Sequence, residues 1–169
     1  MKYVCNIKWY FCRQISAKYE IKLMMSKYTN KSDLLMSAAE DINNDINKCY
    51  FLVVPHSAYY SCFLFMKHLC YKVFAVKNEN EIKNSVDSTQ HGSHEIMITY
   101  VHNKMIQSCT SIEDKHKAMD FASKIGQLKK LRTKADYEEE DITYTHSCKA
   151  LELAQEVRSI LKSFKYDSV

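Results

Sequence analysis

The sequence predicts an all-α protein, an antiparallel bundle of about five helices around a four-helix core. Three observations carry that expectation. The 169-residue chain holds only two glycines and one proline, too few for the tight hairpins of a β fold. Apolar residues recur at spacings of three and four in several stretches, the period of a helix with one buried face. The one continuous apolar run has no second run with which to pair as a sheet.

Residues 1–30 include Trp9, Tyr10, Phe11 and Tyr19 without a helical stripe and are expected to form an appendage. Translation from Met24 or Met25 would leave most of it out. Residues 31–165 are expected to form the bundle, and 166–169 a tail. A first helix is predicted from Ser32 or Asp33 as N-cap, with Leu34, Leu35, Ala38, Ala39, Ile42 and Ile46 on its apolar face, ending among Asn43, Asn44 and Asn47. The next segment, CYFLVVPHSAYYSCFLFMKHLCYKVF, is apolar nearly all round and predicts the most buried, central helix. Pro55 falls where it would either kink that helix or occupy its first turn.

KNENEIKNSVDSTQHGS predicts a loop, with Ser93 as the cap of a third helix carrying Ile96, Tyr100, Val101 and Met105. A fourth begins at Ser111, which together with Asp114 suggests a capping box. Its apolar positions, Ala118, Phe121, Ala122, Ile125, Leu128, Leu131 and Ala135, make it the best-defined helix of the chain. A fifth starts near Thr143 and carries Leu151, Ala154, Val157, Leu161 and Phe164.

Composition bounds function only loosely. A net charge of +4 is compatible with nucleic acid but is far from that of a dedicated binder. The seven cysteines are odd in number and none forms CxxC or a zinc-ligand spacing, so thiols in a reducing cytoplasm are expected, with no metal or cofactor. No stretch approaches the length of a membrane span or has the pattern of a signal peptide.

The chemistry concentrates in LKKLRTKADYEEED, residues 128–141. Arg132 lies at the edge of the apolar stripe, and Asp136 follows at the spacing of an intrahelical ion pair, as Glu138 follows Lys134. Arg132, Lys130 and Lys134 are the candidate phosphate-binding residues, with Arg132 and Tyr137 as candidate catalytic groups. Carboxylates at 138–141 would oppose the macrodipole if the helix continued through them. His56, Tyr59, Tyr60, His94 and Asp136 are expected as groove-lining or structural residues, with the two histidines hydrogen-bonded inside the bundle.

LRTKADY, preceded by HSAYYSCFLFMKHL and GSHEIM in that order, resembles the HEPN domain, over roughly residues 32–164. The likeness is strongest to the subgroup with leucine, arginine, two variable residues and ADY on its fourth helix, here Leu131, Arg132, Ala135, Asp136 and Tyr137. The resemblance implies an α-helical bundle that forms homodimers, acts on RNA in toxin–antitoxin or antiphage systems, and can be paired with a nucleotidyltransferase-like antitoxin. Many members are metal-independent ribonucleases using an arginine followed four to six residues later by histidine. Here Tyr137 occupies that interval, and a phenol with a pKa near 10 is a poor base for a 2′-hydroxyl. Three functions therefore stand open: binding of RNA or nucleotide phosphates through Arg132, a ribonuclease completed by a histidine from elsewhere such as His56 or His146, and a protein-interaction module.

Overall fold

The computed structural model describes residues 27–45, 50–86, 92–139 and 141–166. The sequence expectations for residues 1–26, Ile46, Asn47, Cys49, Glu140 and 167–169 lie outside them. The described chain is a helical bundle, with no strand among the described residues. Its helices are α1 (27–44), α2 (Val53–His68), α3 (Glu79–Ser85), α4 (Ser93–Gln107), α5 (Ile112–Tyr137) and α6 (Tyr144–Ser163).

Helix α2 is the centre. Eleven of its sixteen residues are buried, because it packs against α4, α5 and α6 at once. A helix apolar on every side can satisfy all of its faces only in that position. Pro55 sits in its first turn, where the missing N–H breaks no helical bond. At the other end α2 runs into a π-helical turn, Leu69–Val73. Helices α4 and α5, and then α5 and α6, are packed neighbours joined by short links, so the chain reverses at each and the pairs are antiparallel.

The predicted cap of α5 is present in full: the Ser111 hydroxyl accepts from the Asp114 N–H at 3.0 Å, and the Asp114 carboxylate accepts from the Ser111 N–H at 3.1 Å. Phe121, Ile125 and Leu128 are wholly buried on its inner face. Thr143 caps α6, and the reciprocal partner is His146, whose Nδ1 accepts from the Thr143 N–H at 3.3 Å.

Several expectations are corrected. Helix α1 already includes residues 27–30, so Ser32 and Asp33 are interior positions and not its cap. Its buried face is Ser32, Met36, Ala39 and Asn43, while Leu34 is exposed. Small polar residues enter this core because other helices satisfy them. Ser32 donates to the Ser61 carbonyl at 2.7 Å and accepts from Arg158, and Asn43 accepts from the Ser147 hydroxyl at 2.6 Å. The predicted loop contains α3, which Asn78 caps by accepting from the Asn80 and Glu81 N–H groups. Ile82 is its one buried residue, too little to register as periodicity. Helix α4 starts one residue earlier than expected, with Gly92 at the N-cap and Ser93 within the helix. Tyr166 does not begin a tail: it packs on Phe74 and Phe164, and its hydroxyl donates to the Leu161 carbonyl.

Candidate functional site

The site forms where the C-terminal end of α5 crosses the N-terminal end of α2. Helix α5 stops at Tyr137, and Glu138 is already extended at φ −101°, ψ 150°. The described acids Glu138, Glu139 and Asp141 therefore follow the helix and do not extend it. Arg132 falls one turn before that end, on the inward side, with only 15% of its side chain exposed.

The guanidinium is surrounded. Its Nε lies 2.7 Å from Asp136 Oδ2, a close charge pair set off the N–H axis, so that the Nε–H itself has no aligned acceptor. Its Nη2 donates to the hydroxyls of Tyr60 and Tyr137, each at 3.3 Å. Its central carbon lies 5.1 Å from the Tyr137 ring centroid, 5.5 Å from that of Tyr60 and 6.0 Å from that of Tyr59, within cation–π range of all three. Burial opposes the charge on Arg132, but the Tyr137 hydroxyl and the Asp136 carboxylate outweigh it and raise its pKa.

Asp136 connects this cation to a histidine eighty positions away. His56 Nδ1 is 3.1 Å from both Asp136 oxygens, and the His56 ring lies 4.6 Å from Tyr60, one turn along α2. With a carboxylate on Nδ1, the neutral ring carries its proton there and leaves Nε2 as the basic nitrogen. His56 is 47% exposed, which corrects the expectation that it bonds inside the bundle.

His94 does meet that expectation. It is half-buried, stacked 4.2 Å from Phe63, with Nδ1 3.0 Å from the Tyr59 hydroxyl. Burial drives the Tyr59 pKa well above the phenol range despite the opposing pull of Arg132, so the hydroxyl keeps its proton and donates. Burial, then Arg132, Lys129 and Lys67, lower the pKa of His94. The ring is held neutral as the acceptor of that bond.

An open groove of about 500 Å³ borders the cluster, with His56, Arg132 and Asp136 lining it together with apolar Leu52, Val53 and Tyr137. Tyr137 is 72% exposed. The structure thus unites Arg132, Asp136, Tyr137, His56 and Tyr60, with Tyr59 and His94 behind them. It does not bring Lys130 or Lys134 to this groove. Lys130 is exposed and lines a separate depression with Lys129, Thr133 and Glu138, and Lys134 is half-buried one turn further on. Among the described residues no three histidine, cysteine, aspartate or glutamate side chains gather as a metal-ligating group, and no helix is long and apolar enough to cross a membrane.

The sequence places Asp136 among the groove-lining residues and pairs it with Arg132. No local signal announces its second partner, because His56 belongs to another helix. Leu52 and Val53 were likewise absorbed into the central apolar run, although both are exposed beside the groove.

Comparison with protein-family models, curated proteins and solved structures finds no significant match to this chain.

Proposed function

We propose that the protein is an HEPN-like domain that binds RNA or nucleotide phosphates in a toxin–antitoxin or antiphage system in the cytoplasm. A homodimer and a nucleotidyltransferase-like antitoxin are the protein partners this reading implies. The observation that carries it is Arg132, a cation fixed by Asp136, Tyr60 and Tyr137 at the edge of an open groove. Guanidinium is the side chain best matched to a phosphate, and with Nη2 donating to the two hydroxyls and Nε buried against Asp136, Nη1 is left to meet it. A cation already held in place loses little conformational freedom when the anion arrives.

A ribonuclease is the second reading, favoured by one specific observation. His56 lines the same groove and is oriented by the carboxylate that also holds Arg132. It supplies the proton acceptor that Tyr137 cannot. His56 would take the 2′-hydroxyl proton, the 2′-oxygen would attack phosphorus to form a 2′,3′-cyclic phosphate, and the 5′-oxygen would leave with a proton from water, while Arg132 offset the charge on the phosphoryl oxygens. His146, the other candidate, is engaged in capping α6.

Labelled single-stranded RNA incubated with the protein in chelator separates these readings. Binding that weakens about tenfold or more in Arg132→Ala, with no cleavage, is the expected result. Cleavage abolished by both Arg132→Ala and His56→Ala would replace it with the ribonuclease. A wild-type protein that neither binds nor cleaves RNA would overturn both and leave a protein-interaction module.

A further inference from the structure

We propose that the groove accepts one unstacked base of a single-stranded RNA against the outer face of Tyr137, with the adjoining phosphate on Arg132. The proposal rests on the RNA-binding reading and names the form of RNA and the residue that selects it.

Tyr137 is an unusual place for a tyrosine that serves only packing. It is the last residue of α5 and one of the most exposed large hydrophobic side chains, yet it is not loose. Arg132 covers one side of its ring at 5.1 Å, and Nη2 donates to its hydroxyl at 3.3 Å. A ring pinned on one side and open on the other is a prepared stacking platform, because its rotamer freedom is reduced before the ligand arrives. Leu52 and Val53, exposed on the same groove, extend the apolar surface that a base would cover. A groove of about 500 Å³ falls within the size range of small-ligand sites.

The charge pattern limits how much of the chain of RNA is held. Arg132 is the cation among the groove residues, with His56 beside it, while exposed Glu138 and Glu139 directly follow Tyr137. A long phosphate track is therefore repelled on that side, and the site suits one nucleotide with one phosphate rather than a duplex backbone. In a duplex the base faces are covered by neighbouring bases, so stacking on Tyr137 requires a single strand, a loop or an end.

The test measures binding of a single-stranded oligonucleotide carrying 2-aminopurine, the same oligonucleotide with abasic sites, and a duplex of equal length. Wild-type protein should quench 2-aminopurine fluorescence on binding and prefer the single strand to both other ligands. Its affinity should fall with salt at a logarithmic slope of about −0.7, the value for one phosphate contact to a single strand. Tyr137→Ala should weaken single-strand binding roughly tenfold and abolish the quench, while weakening abasic binding far less, since there only the Tyr137 contact that steadies Arg132 is lost. Tyr137→Phe and Tyr137→Trp should retain the quench. Because the residue is exposed at a helix end, these variants should keep the wild-type circular dichroism spectrum.

Arg132-dependent binding that is indifferent to Tyr137→Ala, or equal for abasic and normal strands, overturns the stacking proposal and leaves phosphate binding intact. Absence of RNA binding by wild-type protein, with capture of a partner protein through the same groove, overturns the RNA-binding reading and this inference with it.

Discussion

Arg132 and Arg158 both lie on long helices beside apolar residues, and the bundle uses them in opposite ways. Arg158, on α6, is 6% exposed. It donates to the Ser32 hydroxyl and to Asp33 on α1, and its guanidinium lies 5.6 Å from the centroid of Phe65 on α2. Three helices meet on that one side chain. Arg132, on α5, is also enclosed by rings and a carboxylate, but it borders an open groove with an exposed tyrosine and histidine. A buried cation linked to several elements serves the fold; a cation held equally well beside a groove is placed within reach of a ligand. Burial alone does not separate the two. Their surroundings do.

The largest expected effect tests this difference directly. Arg158→Ala removes hydrogen bonds to a charged group and leaves a gap between three helices, which should cost about 2–3 kcal/mol. For a chain of this size that corresponds to a melting temperature lower by roughly 5–10 °C. Arg132→Ala should cost less, about 1–2 kcal/mol, since it gives up two tyrosine hydrogen bonds, ring contacts and an i, i+4 pair but joins only α5 to α2 beside an open groove. Thermal unfolding of both variants under one condition checks the pair. Equal losses, or a larger loss for Arg132→Ala, would make Arg132 a fold residue and remove the argument for keeping it at the groove.

Acid should weaken the protein through a second set of buried groups. Burial lowers the pKa of His68, His94 and His102; Lys72 adds to the effect at His68, and Arg132, Lys129 and Lys67 add to it at His94. A histidine whose folded pKa is depressed binds fewer protons folded than unfolded, so stability is full above the unfolded value near 6.5 and declines as pH falls through the folded values. The melting temperature should be flat between about pH 7 and 8 and fall steadily below about 6.5. His94→Gln should make that fall shallower on the groove side. A melting temperature that rises on acidification would contradict the neutral state assigned to His94.

These residues also show what could be read in the sequence. The helices that were legible carry their own signals: the Ser111 capping box, the all-round apolar segment of α2, and the spacing from Ala118 to Ala135 on α5. Arg132, His56, Tyr59, Tyr60, His94 and Tyr137 were singled out on residue type and motif, and the fold brings them together. What could not be read depends on contacts between distant segments. The role of Arg158 is invisible until α1 is known to present Ser32 and Asp33, and Ser32 looks like a helix cap until Ser61 and Arg158 are placed beside it. The link from Asp136 to His56 crosses two helices in the same way. Local sequence reports capping and amphipathicity, whereas polar residues satisfied by tertiary partners give no periodic signal and are misassigned to caps and surfaces.

The smallest effect sharpens the comparison from its acidic side. Asp33, the carboxylate paired with Arg158, is 61% exposed, although the arginine is not. Most of the stabilisation around Arg158 should therefore come from Ser32, Phe65 and enclosure of the side chain, with the exposed carboxylate contributing little. Asp33→Asn keeps the side-chain shape and removes the charge, and it should cost only about 0–1 kcal/mol. The loss should shrink further between low and high salt, because an exposed pair is screened. Unfolding of Asp33→Asn in parallel with Arg158→Ala at two salt concentrations measures this directly. A loss comparable to that of Arg158→Ala, or one unaffected by salt, would mean that the ion pair itself holds α1 to α6. The contrast between the two arginines would then lie in their carboxylates and not in the openness of their surroundings.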